Sequence, residues 1–320
     1  MKSRRRIASL SLDLDNHWSY LKVHGDPGWE KFPSYLHVVV PRVLDFLSRN
    51  NLRITFFLVG QDAALERNHP PLKMIADAGH ELGNHSFSHE PWFHRYHRSR
   101  IESEIALAEN CIYKVTGIRT VGYRGPGFSV SELALQVLES KGYLYDASSF
   151  PTFCGPLARL YYLWRSNLNG RDREERNMLF GPMSEGFRPL RPYRWRHGQD
   201  LLEIPVSTMP ILRTPIHLSY LLYLAGFSPK IALFYFQTAL NLYRAASGSP
   251  SVLLHPLDFL GVDDQIGLEF FPAMQLTRRR KLEFVADAIR LYCDHFEVVP
   301  IREHANAVLT DVKKSSKPSK

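Results

Sequence analysis

Cysteine is scarce in this 320-residue chain, and so are long apolar runs. The three cysteines are widely spaced and odd in number, which excludes a disulfide framework or a cysteine-based zinc site and indicates reduced thiols. They are Cys111, Cys154 and Cys293. The basic start of the chain resembles the first part of a signal peptide, but the apolar run that follows it is too short. Cleavage there would also remove carboxylates that we expect to be functional, so we expect no signal peptide and a cytoplasmic protein.

The most apolar stretch, residues 214–243, has one formal charge, Lys230. Pro229 and Lys230 interrupt this stretch, and neither half reaches the roughly 18–20 apolar residues that a membrane span requires. We expect Lys230–Arg244 to be a core helix. For Ile216–Phe227 two interpretations stay open, a core helix and a shallow interfacial hairpin. The hairpin would imply peripheral contact of the protein with the inner face of the membrane.

Acidic residues are fewer than basic ones, 32 against 40, which gives a formal net charge of +8. Such an excess permits an anionic partner. The sequence has no basic helix interleaved with aromatic residues and no nucleic-acid motif, so we do not expect nucleic acid as a partner. A phosphate-bearing substrate or an anionic membrane face is the remaining expectation.

Strand-like and helix-like segments alternate along the chain, which is typical of a parallel α/β sheet or barrel. The pattern predicts strands at residues 7–12, 53–59, 120–124, 143–146, 201–206, 251–254 and 296–300. It predicts helices at residues 33–49, 72–78, 101–116, 131–141, 230–244 and 279–291. We expect one domain over residues 1–310, with an arginine- and aromatic-rich insertion near 154–199. The basic tail, 311–320, is predicted to be disordered.

Chemically versatile side chains follow several of these strands. Asp13 and Asp15 end the first strand, and residues two apart on a strand point the same way, so one carboxylate could bind a metal while the other acts as a base. His85 and His89 can aim both imidazoles at one point, and imidazole is the commonest protein ligand for zinc. His255 follows a buried strand. Because α/β barrels carry their active sites at the C-terminal ends of their strands, we expect these groups to meet.

In chain order, five motifs resemble those of the polysaccharide deacetylase superfamily, carbohydrate esterase family 4, over about residues 7–302. They are Asp13-Leu14-Asp15, His85-Ser86-Phe87-Ser88-His89, Gly122-Tyr123-Arg124-Gly125-Pro126-Gly127-Phe128, Tyr145-Asp146 and Val252-Leu253-Leu254-His255-Pro256. The resemblance implies an α/β fold, a distorted (β/α) barrel with about seven strands. It also implies a divalent metal ion, zinc before others, held by Asp15, His85 and His89.

The same resemblance implies the catalytic roles. Asp13 would be the base and Arg124 the arginine that holds it. His255 would be the acid that protonates the leaving amine, and Asp146 the carboxylate that orients it. Apart from the resemblance, Asp258 is a second possible partner of His255. The first motif departs from the commonest form of the family, in which the two aspartates are adjacent.

Two further pairs of residues are candidates for binding substrate. The resemblance implies that a backbone N–H near Gly127 and Phe128 holds the oxyanion, although the family commonly has an aromatic residue at the position of Gly127. Arg191 and Trp195 lie in the insertion, whose arginines suit a phosphate because guanidinium can bind it in a bidentate manner.

We therefore expect a metal-dependent hydrolase that removes an acetyl or formyl group from the nitrogen of an amino sugar. A cytoplasmic enzyme does not meet finished extracellular polymer, so a polyprenyl-phosphate-linked or nucleotide-linked intermediate of envelope or exopolysaccharide biosynthesis is the expected substrate. Two alternatives stay open: an amidase of the same fold that acts on a non-sugar C–N bond, and a non-catalytic metal-containing carbohydrate-binding protein. Asp13 and His255 argue against the second, because a pure binder needs neither.

Overall fold

The computed structural model describes residues 5–155, 183–195 and 201–315. Its strands are β1 Ile7–Asp13, β2 Thr55–Leu58, β3 Glu81–Asn84, β4 Gly122–Tyr123, β5 Tyr145–Asp146, β6 Tyr193–Arg194, β7 Leu202–Glu203, β8 Ser251–Leu254 and β9 Glu297–Val299. These form one nine-stranded sheet in the order β6-β7-β5-β4-β3-β2-β1-β8, and β9 also pairs with β1. Only the β6–β7 pairing is antiparallel among the described strands. The predicted α/β barrel-like fold is confirmed, as an open and distorted barrel.

Helices connect the strands. They are α1 His17–His24, α2 Leu36–Arg49, α3 Gly60–Ala63, α4 His69–Asp77, α5 Arg98–Thr116, α6 Glu132–Ser140, α7 Leu218–Phe227, α8 Pro229–Ala245, α9 Arg278–His295 and α10 Ile301–Ser315. The predicted stop of α5 at Gly117 is observed: this residue has a φ of 71° and its N–H donates to the Tyr113 carbonyl over 2.8 Å. None of the helices in the described part of the chain is both long and apolar enough to cross a membrane.

Strand β1 shows how the alternation of side chains builds the barrel. Ala8, Leu10 and Leu12 belong to the large core between the sheet and its outer helices. The residues between them are polar and equally buried, Ser9 and Ser11 among them. These alternate residues face the inside of the curved sheet, where Ser11 Oγ accepts a hydrogen bond from Arg124. The same face leads directly to Asp13 at the end of the strand.

Helix α10 closes the barrel interior at the end opposite to that of Asp13. Its first residue, Ile301, is buried in a cluster with Phe57. The Ile301 N–H donates to Thr55 Oγ1 over 2.7 Å, and the next N–H donates to Glu81 Oε2 over 2.9 Å. A buried carboxylate thus accepts from a helix N-terminus, where the dipole of the helix favours negative charge.

Two features differ from the sequence-based expectations, and one segment that the sequence left open takes a defined form. The sheet has nine described strands instead of about seven, because the pattern did not predict β3 and because a short antiparallel strand from the insertion, β6, extends one edge. For residues 216–227 the sequence left a core helix and an interfacial hairpin open, and the structure has the helix α7 at Leu218–Phe227. Helix α10 continues to Ser315, so the prediction of disorder from 311 is wrong for residues 311–315; packing of the buried Ile301 and Ala305 starts a helix that the pattern did not reveal. Much of the insertion, residues 156–182 and 196–200, and the tail end 316–320 lie outside the described residues.

Candidate active site

Asp15, His85 and His89 meet at the C-terminal edge of β1 and β3. Each offers one ligand atom, and these atoms lie within 4.8 Å of one another. Asp15 Oδ1 is 2.9 Å from His89 Nε2 and 3.4 Å from His85 Nε2. One carboxylate and two imidazoles are a donor set that zinc and similar ions take, and three protein ligands are the number typical of catalytic zinc sites.

The surroundings of His85 and Asp15 fit a divalent cation. His85 Nδ1 lies 2.6 Å from the Arg124 carbonyl oxygen, to which its N–H donates, so that Nε2 is the nitrogen directed at Asp15. Burial would raise the pKa of Asp15, but the neighbouring His89 and His85 hold it far below its ordinary value. Burial lowers the pKa of His85, yet Asp13 and Asp15 more than offset this and raise it overall. A site that stabilises positive charge on a buried imidazole is also suited to a cation.

A buried glutamate on α5 shapes the loop that carries both histidines. Glu104 Oε2 accepts from the N–H groups of Phe87 and Ser88 over 3.1 and 2.8 Å, and Oε1 accepts from the Ser88 hydroxyl over 2.7 Å. Ser86 and His89 on either side have positive φ values of 60° and 50°. The loop therefore has a backbone conformation that most residues avoid, and the three hydrogen bonds of Glu104 hold it in place.

Asp13 and Arg124 form a buried ion pair beside the candidate metal site. Asp13 Oδ1 accepts from Arg124 Nη1 over 2.7 Å. The guanidinium group is fully buried, donates also to the Ala147 carbonyl over 2.9 Å and lies over the Phe57 ring at 4.4 Å. A buried arginine that touches an acid in this way fixes the position and the charge of the acid, as the sequence predicts for the base and its holder.

His255 is held by a serine and an aspartate that lies close to it in sequence. Its Nδ1 is 3.0 Å from Ser219 Oγ, and the Ser219 hydroxyl donates to Asp258 Oδ1 over 2.7 Å. Asp258 Oδ2 accepts from the His255 backbone N–H over 2.8 Å. Next to it, burial and the proximity of His255 lower the pKa of His217 to about 3, so this second imidazole is neutral. Of the two partners proposed for the acid, Asp258 is therefore the one in place, through Ser219.

Asp146, the other proposed partner, has no hydrogen bond to His255 among the described residues. Its Oδ1 accepts from the Ser148 hydroxyl over 2.6 Å. Burial raises the pKa of Asp146, while burial together with the charge of Asp146 raises the pKa of Glu203 well above its ordinary value. β5 and β7 are neighbours, and their pairing sets Asp146 opposite Glu203. The role of Asp146 as partner of the acid histidine stays a prediction.

Gly127 and Phe128 lie in a tight turn that starts after Arg124. Gly127 has φ 58° and Phe128 φ 62°. The Phe128 N–H donates to the Gly125 carbonyl over 3.0 Å, which leaves the Gly127 N–H as the better candidate for an oxyanion. The Phe128 ring stacks on Phe150 with centroids 4.6 Å apart.

Further ring contacts connect Phe128 and Phe150 to the candidate acid, His255. Phe150 lies 5.8 Å from the His217 ring, and His217 lies 6.0 Å from His255. This row of rings therefore links the turn that contains Gly127, the candidate oxyanion donor, to His255, the candidate acid.

Trp195 and Arg191, the two candidates from the insertion, lie in different surroundings. Trp195 Nε1 donates to Glu203 Oε2 over 3.1 Å, and Arg188 lies over its ring at 4.6 Å. Trp195 lines a groove of about 630 Å³ together with Tyr193. Arg191 is exposed and does not line that groove. The substrate role of both residues stays a prediction.

Sequence reasoning missed four residues of the site: Asp62, Glu104, Glu203 and Ser219. Asp62 Oδ1 accepts from Asn16 Nδ2 over 2.7 Å and from the Trp18 indole N–H over 2.9 Å, so it supports the turn that follows Asp15. No local pattern identifies these side chains, because each lies on a helix or strand far along the chain from the group it supports.

Comparisons with known proteins find similarity to polysaccharide and peptidoglycan deacetylases. The family model of polysaccharide deacetylases matches residues 26–145, a range that includes His85, His89 and Arg124. Peptidoglycan deacetylase-like protein FGM2 of Gibberella zeae is 33% identical over 173 residues, which are 51% of this chain and 48% of that protein. The peptidoglycan deacetylase of Helicobacter pylori is 32% identical over 112 residues, 35% of this chain and 37% of that protein. The chain thus spans about half or less of the length of these relatives.

Among solved structures, a protein of Mycobacterium smegmatis assigned to the polysaccharide deacetylases has the same fold. It superposes with a TM-score of 0.62 at 20% sequence identity and covers 97% of this chain and 93% of its own. The fold and the site define an α/β barrel with a histidine- and carboxylate-lined centre. Residues 26–145 are similar to the polysaccharide deacetylases, and the fold of the chain is that of the Mycobacterium smegmatis protein.

Proposed function

We propose that this protein is a metal-dependent hydrolase that removes an N-acyl group from an amino sugar. The observation that carries the proposal is the meeting of Asp15, His85 and His89 at one point, with Asp13 held beside them by Arg124. Similarity to proteins that are named deacetylases supports the reaction type. A binding protein would need the three metal ligands, but it would need neither a base positioned by Arg124 nor an acid positioned by Ser219.

Asp13 acts as the general base. Its carboxylate accepts the proton of the attacking water while Arg124, bound at 2.7 Å, keeps it in position. A divalent ion held by Asp15, His85 and His89, zinc before others, would polarise the acyl carbonyl and acidify the water. The Gly127 N–H donates to the oxygen that becomes negative as the carbonyl carbon turns tetrahedral.

His255 acts as the general acid. Its Nδ1–H donates to Ser219 Oγ, whose hydroxyl in turn donates to Asp258, so Nε2 is the nitrogen that can give a proton to the leaving amine. An amine leaves poorly unless it is protonated, and amide hydrolysis therefore needs an acid on this side of the site. The Ser219–Asp258 pair also selects the ring orientation in which Nε2 is available.

For the substrate we propose an acetylated or formylated amino sugar that is linked to a polyprenyl phosphate or a nucleotide, met in the cytoplasm or at the inner face of the membrane. The net charge of +8 favours a substrate that carries phosphate. Exposed apolar side chains at the end of α7, the helix that carries Ser219, favour a lipid over a nucleotide.

Metal analysis of the purified protein tests the proposal most directly. Wild type should hold about one equivalent of a divalent ion, and the double variant His85→Ala with His89→Ala should hold none. His37→Ala with His97→Ala, two exposed histidines of α2 and the turn before α5, is the matched control and should bind like wild type. Wild type that takes up no metal even after zinc is added would overturn the proposal.

The reaction itself is tested with the metal-loaded protein on acetylated and formylated amino-sugar phosphates. Release of acetate or formate, lost in the metal-free double variant, is the expected result. Release from non-sugar amides at equal rates, with none from the sugars, would favour the amidase alternative. No release from either class would favour the binding protein.

A further inference from the structure

The exposed apolar side chains of the described residues are concentrated in one segment. Six large apolar residues are more than 60% exposed, and five of them lie between residues 211 and 234. They are Ile211 at 80%, Leu212 at 64%, Phe227 at 78%, Ile231 at 66% and Phe234 at 71%. Elsewhere such residues are single and at most half exposed, apart from Phe187 at 78%. Apolar residues that gather on a surface in this way mark an interaction site.

These residues surround the tip of the hairpin formed by α7 and α8. The hairpin turns at Ser228, and Phe227 and Ile231 lie on its two sides. Tyr223 contacts Phe227 one turn back along α7, with ring centroids 5.4 Å apart, and Phe234 lies one turn further along α8. We call Tyr223, Phe227, Ile231 and Phe234 the hairpin face.

The loop with Ile211 and Leu212 extends this surface. Thr214 and Tyr235 join it to α8 through hydroxyl groups 2.6 Å apart, next to Phe234. The inner side of α8 is anchored in the core by buried residues such as Phe236 and Leu240. The exposure of the hairpin face is therefore a property of a well-packed hairpin and not of a loose one.

The charges around the hairpin face favour an anionic lipid surface. The chain has no acidic residue between Glu203 and Asp258, while Lys230 is exposed at the tip itself. A two-fold pairing with a second copy would bring two Lys230 side chains together without an acid to pair with them. Aromatic rings beside a lysine are the side chains that enter the headgroup region of a bilayer most favourably.

The hairpin face is joined to the active site by a single helix. Ser219, which binds His255, lies on the first turn of α7, and Phe227 ends the same helix eight residues later. This separation is about 12 Å along a helix axis. We propose that the hairpin face docks the protein on an anionic membrane surface, where α7 holds the acid histidine within reach of a sugar carried on a lipid. The inference rests on the proposed function for the sugar, whereas the docking itself does not depend on it.

Vesicle co-sedimentation of the full chain tests this inference. Wild type should sediment with vesicles of phosphatidylcholine containing phosphatidylglycerol and bind pure phosphatidylcholine at least tenfold more weakly. The variant Phe227→Gln with Phe234→Gln should lose binding at least tenfold. Lys230→Glu should weaken binding only to the anionic vesicles. Met74→Gln with Leu107→Gln, which are 43% and 45% exposed on other helices, is the matched control and should bind like wild type.

Two results would overturn the inference: wild type that stays in the supernatant with every vesicle, or a double phenylalanine variant that binds like wild type. Light scattering on the same samples identifies the competing occupant. A wild-type dimer that the phenylalanine variant converts to a monomer, with no vesicle binding, would assign the hairpin face to self-association and refute docking. Hydrolysis of a water-soluble acetylated amino sugar should be equal in wild type and this variant, so that failure of the chemistry and failure of docking are read separately.

Discussion

Arg124 Nη1 donates to Asp13 Oδ1 over 2.7 Å inside the protein, where the guanidinium has no contact with solvent. The same arginine accepts a hydrogen bond through its backbone carbonyl from His85 Nδ1–H. One residue thus positions the candidate base with its side chain and a candidate metal ligand with its main chain. The base and the metal site are therefore one unit, and a change in one partner acts on the other through Arg124.

Asp13→Asn is expected to keep the metal and lose turnover. The amide retains the size of the side chain but cannot take the proton of water, so kcat should fall by roughly 10²–10⁴-fold. Asp15→Asn is the matched comparison two residues away and should lose the metal instead. Metal content and kcat of both variants check this. Equal loss of metal in both variants would mean that both aspartates bind the metal. Loss of metal in Asp13→Asn alone would mean that the two roles are exchanged.

Glu104→Ala is expected to weaken metal binding although Glu104 binds no metal. Without its three hydrogen bonds the Phe87–Ser88 backbone is free to leave the conformation that aims His85 and His89. Removal of such a supporting residue lowers metal affinity by about 10–100-fold. Competition with a metal-binding dye measures it. Glu102→Ala on the exposed side of the same helix should leave the affinity unchanged, and Glu104→Gln should restore part of it.

The sequence was sufficient to predict which side chains lie together at the candidate site. Asp13, Asp15, His85 and His89 occur at strand ends in a spacing that directs them to one point, and the barrel topology then brings them together. The partner of His255 was not predictable to the same degree, because Ser219 lies 36 residues earlier in an apolar stretch. Only the packing of α7 against β8 brings these two residues together.

Glu104 and Glu203 were missed for a related reason. The pattern of an amphipathic helix predicts that a glutamate faces solvent. Glu104 is nevertheless only 7% exposed, because the loop that carries His85 and His89 covers it. Glu203 is in a two-residue strand and is fully buried beside Asp146. Long-range packing, which leaves no periodic signal, decides both positions.

Ser219→Ala is expected to impair proton donation by His255. The change leaves His255 Nδ1–H without its acceptor and breaks the link to Asp258, so the imidazole is no longer fixed with Nε2 toward the leaving amine. We expect kcat on the amide substrate to fall at least tenfold. An acetate ester with a good leaving group needs no acid, and its hydrolysis should change little. Ser219→Thr keeps the hydroxyl and should restore amide hydrolysis in part. Equal losses on amide and ester would show a merely structural role.

His304 is expected to make the fold less stable as the pH falls from about 6.5 to 4. Its Nδ1 is 2.9 Å from Ser9 Oγ, and its Nε2 is buried without a hydrogen-bond partner among the described residues. Burial lowers the pKa of His304 from 6.5 to about 4, so in this range the unfolded chain binds a proton that the folded chain does not. Stability from this group is complete above pH 6.5 and decreases by about 3 kcal/mol by pH 4.

Urea unfolding of wild type and His304→Asn across this pH range measures the effect. The difference in free energy of unfolding between the two should narrow, or turn in favour of the variant, as the pH falls from 6.5 to 4, because only wild type has the buried imidazole to protonate. His37→Gln, at an exposed position of α2, should follow the wild-type curve. Curves for wild type and His304→Asn that stay parallel from pH 7 to pH 4 would mean that His304 accepts its proton in the folded state, through an opening of α10 away from Ser9.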